Sequence, residues 1–99
     1  MPSEIIWLPS ASQDVARLRN FIKSKNPLAA QRAARRILEG VTILQNNPTA
    51  GAPVDGTVGF RTLSLTFGSG EYIIRYREEL QHVVIISVRH SKEQAPQQR

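Results

Sequence analysis

The chain has 99 residues, which suits a single small domain spanning residues 1–99 and burying about 60 to 70% of the surface that the unfolded form exposes. Its 13 lysines and arginines outnumber its 8 acidic residues, and the formal net charge of +5 favours an acidic partner, either nucleic acid or an acidic protein. There is no cysteine, which excludes disulfides and thiolate metal sites and fits a reducing cytoplasm.

The N-terminal segment predicts a strand followed at once by a helix. Residues 4–8 are apolar and partly β-branched, and Pro9 stops them, which is typical of a short strand. The same run is far shorter than a signal sequence or a membrane span, so we expect a soluble, cytoplasmic protein without a membrane partner. Ser10 and Gln13 have the spacing of a capping box, and apolar residues then recur at intervals of three and four as far as Ile22, which predicts an amphipathic helix.

A second helix is predicted to begin at Asn26 and Pro27. The asparagine can cap free amide groups, and a proline at the first helical position has no amide to lose. Apolar residues mark one face up to the stop at residues 46–48, which makes the helix roughly 30 Å long. Because only residues 23–26 separate the two helices, they should fold back as an antiparallel pair.

The second half of the chain is predicted to be a loop followed by three strands. Residues 47–59 are rich in proline and glycine, and strand patterns follow at 60–67, 71–77 and 82–90. The order of strand, helix pair and three-strand meander predicts an α+β fold, in which an antiparallel two-helix hairpin packs on a mainly antiparallel sheet. The polar residues 91–99 are expected to form a flexible tail.

The hairpin FRTLSLTFGSGEYIIRYR, residues 60–77, places three arginines among apolar residues. If Phe67 pairs with Tyr72, polar and apolar side chains separate onto two faces, whereas a pairing of Phe67 with Glu71 mixes them, so we favour the first. The apolar face then holds Leu63, Leu65, Phe67, Tyr72, Ile74 and Tyr76. The opposite face holds Thr62, Ser64, Thr66, Ile73, Arg75 and Arg77.

Arg61 and the last strand are interpreted structurally. Arg61 is in phase with the apolar residues but lies at the rim of the sheet, where Glu78 can pair with it. Such an ion pair explains Arg61 at least as well as a functional role does, although an exposed pair contributes only about 0 to 1 kcal/mol. Residues 82–88 are apolar on both sides, which predicts a strand that is central or covered on both faces.

These features together resemble the RelE/ParE superfamily of bacterial toxins, which are encoded with small antitoxins. The resemblance covers nearly the whole chain: an early strand, the helical hairpin broken at KNP, a loop after QNNP, the hairpin FRTLSLTFGSGEYIIRYR and the closing VVIISVRH. It implies the toxin of a type II toxin-antitoxin module. RelE-like members cut mRNA on the ribosome, whereas ParE-like members poison DNA gyrase and are not known as nucleases.

The residues that a RelE-like nuclease would use are incompletely present. Such nucleases are similar in placing basic residues on the second strand, an arginine at the start of the third, and a basic residue or histidine after the last. Here Arg61 matches one second-strand position, and Leu63 stands at another. Tyr72 stands at the position of the third-strand arginine, and His90 falls near the C-terminal position.

Strand spacing weakens the nuclease interpretation further. We expect His90 near Gly68 and Ser69, and Arg75 near Val84, which separates His90 from Arg75 by about 20 Å along the strand. One phosphate then cannot touch both groups. The nuclease set that remains is Tyr72, Arg89 and His90.

The resemblance and the incomplete nuclease set favour a ParE-like toxin that inhibits DNA gyrase, and hence replication, over an enzyme. Two alternatives stay open: a ribosome-dependent mRNA endoribonuclease, whose partners are the ribosome and mRNA, and a non-toxic module that binds a partner. The two histidines lack neighbouring carboxylates in the sequence, so we expect no metal and no other cofactor. The residues expected to bind the target are Arg61, Arg75, Arg77, Arg89 and His90.

A cognate small acidic antitoxin is the expected partner. Antitoxins of this superfamily are similar in having an acidic, initially disordered C-terminal segment that folds on the toxin, for which a chain of net charge +5 is a suitable target. A helix pair on a small sheet should leave an apolar groove for that segment, although each candidate alone also fits an internal core position. The candidate groove residues are Leu18, Phe21, Ile22 and Leu38.

Overall fold

The computed structural model describes residues 2–93, which form two helices and five strands. In chain order these are β1 (Glu4–Trp7), α1 (Pro9–Lys23), α2 (Pro27–Asn46), β2 (Ala52–Pro53), β3 (Phe60–Phe67), β4 (Gly70–Glu79) and β5 (His82–His90). The strands form one sheet in the order β1, β5, β4, β3, β2, with β1 parallel to β5 and the other neighbours antiparallel. The predicted α+β class and mainly antiparallel sheet are confirmed, and β2 is a short strand within the predicted loop.

The two helices begin in different ways. α1 begins at Pro9 without a side-chain cap, and the Ser10 hydroxyl donates instead to the carbonyl oxygen of Ile86 at 2.8 Å. The predicted capping box is therefore wrong, because Ser10 already lies inside the helix that the proline starts. α2 begins as predicted, with Pro27 as its first residue and the Asn26 side chain accepting a first-turn amide at 3.1 Å. Neither helix in residues 2–93 is long and apolar enough to cross a membrane.

The core lies between the helix pair and one face of the sheet. Side chains alternate along β4, so that Tyr72, Ile74 and Tyr76 are fully buried while Arg75 and Arg77 are exposed. We call the side of the sheet that carries these two arginines the open face. β5 lies inside the sheet, between β1 and β4, as its apolar pattern predicts. The rest of the buried cluster comprises Ala11, Leu18, Ala33, Ile37, Val41, Leu44, Leu65, Val83, Ile85 and Val88.

The β3–β4 hairpin has a tighter turn than the sequence predicts. Phe67 pairs with Gly70, across a turn in which Gly68 has a left-handed φ of 61°. The predicted pairing of Phe67 with Tyr72 is therefore wrong by two residues. Because side chains alternate with a period of two, the shift leaves each residue on its predicted face, and the two faces of the hairpin are confirmed.

The register between β4 and β5 also differs from the prediction. His90 pairs with Tyr72, and Arg75 pairs with Ser87 and not near Val84. Arg75 and His90 are consequently about 10 Å apart along the strands, half of the separation predicted from the sequence. The physical reason is a shorter turn between the strands, together with an extra residue in β5.

That extra residue is Ile86, a β-bulge that decides which β5 side chains reach the open face. The bulge inverts the alternation of the strand: Ile85 is buried before it, and Val88 is buried after it. Strict alternation from Ile85 would turn Arg89 towards the helices. With the bulge, Arg89 lies on the open face.

The loop between α2 and β3 is held against the sheet by Tyr76. The buried Tyr76 hydroxyl donates to the carbonyl oxygen of Pro48 at 2.6 Å and accepts from the amide of Gly51 at 2.9 Å. A Cβ at Gly51 would lie 2.8 Å from the carbonyl oxygen of Thr62 and 2.8 Å from this hydroxyl. The loop thus approaches the sheet as closely as only glycine permits.

The first three residues of the predicted tail are bound to the domain. The amide of Ser91 donates to the carbonyl oxygen of Glu71 at 2.8 Å. The carboxylate of Glu93 accepts from Arg17 Nε on α1 at 2.8 Å. Residues 94–99, the rest of that predicted tail, lie outside the described residues.

Candidate functional site

The open face of the sheet carries three of the arginines that the sequence singles out. β4 presents Arg75 and Arg77, and β5 presents Arg89 because of the bulge. Arg89 pairs with Ile73 while Arg75 pairs with Ser87, so the two arginines are diagonal neighbours. Diagonal neighbours in an antiparallel sheet are about 7–8 Å apart, which lets two long side chains reach one ligand.

Arg75 and Arg89 border a depression on this face, which we call the basic cleft. Its volume is about 300 Å³. Within residues 2–93 neither guanidinium forms an ion pair, whereas Arg77 Nε lies 3.4 Å from Glu79 Oε2. The cleft is lined by Ile73, Arg75, Ser87, Arg89, His90, Ser91 and Glu93.

Arg61 lies apart from the basic cleft and is occupied by structural contacts. It pairs with Tyr76 across β3 and β4 and therefore lies on the helix side of the sheet. Its Nε donates to Glu78 Oε1 at 3.0 Å, the ion pair that the sequence predicts, and its terminal nitrogen donates to the carbonyl oxygen of Gly51 at 2.8 Å. The structure thus brings Arg75, Arg89 and His90 to one end of the sheet and leaves Arg61 at the other.

Tyr72 and His90 are in direct contact at the end of the sheet. They are cross-strand partners, and their ring centroids are 5.1 Å apart in an edge-to-face arrangement. Tyr72 is 0% exposed, and its hydroxyl has no hydrogen-bond partner within residues 2–93. Arg89 precedes His90 in an extended strand and therefore points to the opposite face. Of the three residues of the nuclease hypothesis, Tyr72 is thus enclosed in the core, while His90, at the end of the sheet, lines the basic cleft together with Arg89.

Burial keeps the Tyr72 phenol neutral. Desolvation raises the pKa of Tyr72, and the nearby negative charge of Glu93 raises it further. A phenol with a raised pKa does not act as a base near neutral pH, and this hydroxyl is also shielded from solvent. Tyr72 is therefore a core residue in the position where RelE-like nucleases resemble one another in having an arginine.

Raising the pH above 10 should unfold the protein before its tyrosines ionise in the folded state. The chain has two tyrosines, both fully buried, and desolvation raises the pKa of each above its usual value of 10.0. The stability that these neutral phenols contribute is present below that value and is lost as the pH rises above it. Phenolate absorbance and circular dichroism should change in one transition. Phenolate titration near pH 10 with unchanged circular dichroism would contradict the buried placement.

A second surface is an apolar groove beside the first helix, which we call the α1 groove. Its volume is about 650 Å³. Phe21, at its edge, is 63% exposed. Arg17 is among the lining residues, and the carboxylates of Glu93 and Asp14, to which it is bound, raise the pKa of its guanidinium. The groove is lined by Arg17, Leu18, Phe21, Ile22, Phe67, Gly68, Ser69, Tyr72, His90, Lys92 and Glu93.

Three of the four predicted antitoxin-binding residues meet in the α1 groove. Leu18, Phe21 and Ile22 line it, because their spacing places them on one side of α1. Leu38 is 56% exposed on α2 and does not line the groove. The sequence interpretation missed Phe67, whose position at the end of the apolar face of β3 is the one signal that would have identified it.

The described residues contain no metal-binding constellation. Within residues 2–93, no group of three or more histidine, aspartate or glutamate side chains is arranged to hold a metal ion. The groups that line the two surfaces are guanidinium, imidazole, ammonium and carboxylate groups, hydroxyls and apolar side chains.

Comparison with known protein sequences gives a family. The family model described as the ParE toxin of the type II toxin-antitoxin system, parDE, matches residues 5–95. A relative, Toxin RelE3 of Caulobacter vibrioides, is 33% identical over 85 residues, which cover 86% of this chain and 90% of the relative.

Solved structures show the same fold. A chain of the chromosomal ParDE toxin-antitoxin system from P. aeruginosa superposes with a TM-score of 0.74 at 24% identity, covering 89% of this chain and 95% of that one. A chain of the toxin-antitoxin complex RelBE2 from Mycobacterium tuberculosis gives 0.63 at 23% identity, covering 91% and 99%. With the sequence match over nearly its whole length, the chain belongs to the ParE family of type II toxins, within the RelE/ParE superfamily.

Proposed function

We propose that this toxin binds DNA gyrase and stalls it on cleaved DNA, without nuclease chemistry of its own. The observation that carries the proposal is the burial of Tyr72, which removes one of the three nuclease candidates from contact with a substrate. RNA cleavage needs a base, a group that stabilises the phosphorane and an acid around one phosphate. Arg89 and His90 both line the basic cleft, but Tyr72 is a buried neutral phenol without access to a substrate, so the set of three groups is incomplete. The ParE description of the matching family model supports the same direction.

The open face is the surface that we assign to gyrase. Arg75, Arg77 and Arg89 give it positive charge, and no helix of residues 2–93 covers it. Arg61 is not part of this surface, because it is bound to Glu78 and to the loop. A positive, uncovered face is suited to a partner that carries DNA, since complementary charge increases the rate of encounter.

A ribosome-dependent mRNA endoribonuclease is the second candidate function. The relative with 33% identity is named Toxin RelE3, and His90 lines both the basic cleft and the α1 groove. On this alternative, His90 would be the residue that exchanges a proton with mRNA. The third candidate function is a non-toxic binding module. It is supported only if inducing the gene leaves cell growth unchanged.

The α1 groove is the site that we propose for the antitoxin. Leu18, Phe21, Ile22 and Phe67 give it an apolar lining, and the two solved structures compared above come from toxin-antitoxin systems. An amphipathic segment can bury its apolar side there while its acidic residues meet the +5 charge of the chain. Leu38 would be covered only by a partner that extends onto α2.

A supercoiling assay with purified gyrase tests the proposed target. Toxin at micromolar concentration should inhibit supercoiling, and the double variant Arg75→Gln/Arg89→Gln should need a clearly higher concentration. The matched control Arg32→Gln/Arg35→Gln removes the same charge from exposed positions on α2 and should behave like the wild type. Absence of inhibition and of trapped cleaved DNA by the wild type would contradict the proposal.

A further inference from the structure

We propose that the basic cleft is a phosphodiester-binding site, which holds one backbone phosphate of a nucleic acid strand between Arg75 and Arg89. The inference goes beyond the proposed function, because the DNA of a gyrase complex and an mRNA present the same group. The positive charge of the open face does not by itself specify a ligand. The ligand proposed for the basic cleft is one phosphodiester group.

The geometry of the cleft suits a small tetrahedral anion. Arg75 and Arg89 reach it diagonally from neighbouring strands, and Ser87 and Ser91 line it beside them. The Ser91 oxygen accepts the amide of Glu71 at 2.9 Å, so its own proton remains available to a ligand. Two guanidinium groups and two hydroxyls offer more donors than the two oxygens of one carboxylate require, and they match the non-bridging and ester oxygens of a phosphodiester.

The two guanidinium groups are available for a ligand. Within residues 2–93, Arg17, Arg61 and Arg77 each form an ion pair with a glutamate or aspartate, but Arg75 and Arg89 do not. An arginine that is already bound to a carboxylate has to give up that contact before it takes an anion. Arg75 and Arg89 can bind one without that cost.

The carboxylates near the cleft do not close it to anions. Glu93 lines the cleft, but its Oε2 is bound by Arg17 Nε at 2.8 Å, which offsets its charge. Glu71 is also on the open face, about 13 Å from Arg75 along β4, but it is a diagonal neighbour of Arg89 at about 7–8 Å and does not line the cleft. Within residues 2–93 Glu71 forms no ion pair with Arg89, so the cleft has two guanidinium groups in its lining against one carboxylate, that of Glu93.

The bulge in β5 is the structural device that assembles this site. Without the bulge, strict alternation from Ile85 through Ile86 would turn Ser87 and Arg89 towards the core and Val88 towards solvent. With it, Val88 is buried, and the serine and the arginine join Arg75 outside. Bulges commonly re-aim side chains next to binding sites.

Binding of short single-stranded oligonucleotides to the full-length toxin, followed by fluorescence anisotropy over a series of salt concentrations, tests the proposal. The same sequence is used as DNA and as RNA, and a polyglutamate peptide serves as the acidic-protein arm. For Arg75→Gln/Arg89→Gln, the slope of log K against log salt should fall by about 0.7, the value for one phosphate contact on a single strand. Arg32→Gln/Arg35→Gln, of equal charge change, should keep the wild-type slope. The nucleic acid that the wild type binds more tightly identifies the source of the phosphate.

The variant Arg75→Lys tests whether binding depends on the shape of the guanidinium group in addition to its charge. A lysine keeps the charge but loses the planar fork, so the salt slope should stay at the wild-type value while the affinity falls. The proposal is overturned if the wild type binds neither oligonucleotide, or if the α2 control loses as much slope as the cleft variant. It is also overturned if the cleft variant loses binding to polyglutamate alone, since the cleft then takes carboxylates.

Discussion

Replacing Tyr76 by phenylalanine should lower the free energy of unfolding by about 2–4 kcal/mol. The hydroxyl donates to the carbonyl oxygen of Pro48 at 2.6 Å and accepts from the Gly51 amide at 2.9 Å, and the ring is fully buried. Its removal loses two hydrogen bonds and leaves the Gly51 amide without its partner inside the protein. Urea unfolding followed by circular dichroism measures the change.

Tyr72→Phe is the matched control, because it makes the same substitution at an equally buried ring. The Tyr72 hydroxyl has no partner in the described part of the chain, so deleting it removes a buried polar group without breaking a hydrogen bond. The variant should be as stable as the wild type or more stable by up to about 1 kcal/mol. Equal losses in the two variants would mean that Tyr72 is hydrogen-bonded after all.

Arg61→Gln should destabilise the domain by about 1–2 kcal/mol, because it removes partly exposed structural contacts of Arg61. The variant toxin should act on the target as the wild type does. The side chain of Arg61 is 22% exposed and that of Glu78 is 33% exposed, which moderates the effect. The substitution breaks that ion pair and the hydrogen bond to the carbonyl oxygen of Gly51. Urea unfolding gives the stability, and the supercoiling assay, at a temperature where the variant is folded, gives the activity.

Arg77→Gln provides the contrast to Arg61→Gln. Arg77 is 52% exposed, and its pairing with Glu79 is at the surface, so its loss should change stability by less than about 0.5 kcal/mol. If Arg61→Gln is as stable as Arg77→Gln but loses inhibition of gyrase, Arg61 contacts the target and the structural interpretation is wrong.

The faces of the β3–β4 hairpin could be predicted from the sequence, but its register could not. Apart from the turn at 68–70 and Ile73, polar and apolar residues alternate from Leu63 to Arg77, which fixes the side that each occupies. A slip of two residues preserves that pattern, so only the turn distinguishes Phe67 opposite Gly70 from Phe67 opposite Tyr72. Asn26 and Pro27 were predictable for a similar reason, since a cap and an N-terminal proline act within one turn of helix.

The basic cleft could not be predicted, because its position depends on the bulge at Ile86. Residues 83–88 are apolar on both sides, so the alternation has no polar marker that would show where it inverts. Ser87, the one polar residue in this run, is the only trace of the inversion. The sequence prediction assumed a longer turn before β5 and no bulge, and it therefore placed Arg75 twice as far from His90 as the structure does.

The α1 groove was predictable in part. Leu18, Phe21 and Ile22 are spaced by three and four on one helix, so their common direction follows from the helix alone. Leu38 and Phe67 depend on how α2 and β3 pack against that helix, which local periodicity does not report. The structure accordingly keeps the first three together, adds Phe67 and places Leu38 elsewhere.

The choice between gyrase and the ribosome is tested most directly by adding the same toxin preparation to two purified systems in parallel. One contains gyrase and plasmid DNA, and the other contains translating ribosomes whose mRNA is read by toeprinting. The wild type and His90→Ala should both trap cleaved DNA with gyrase, and neither should cut mRNA. Cleavage of mRNA on the ribosome by the wild type, lost in His90→Ala, together with no trapped DNA, would contradict the proposed function.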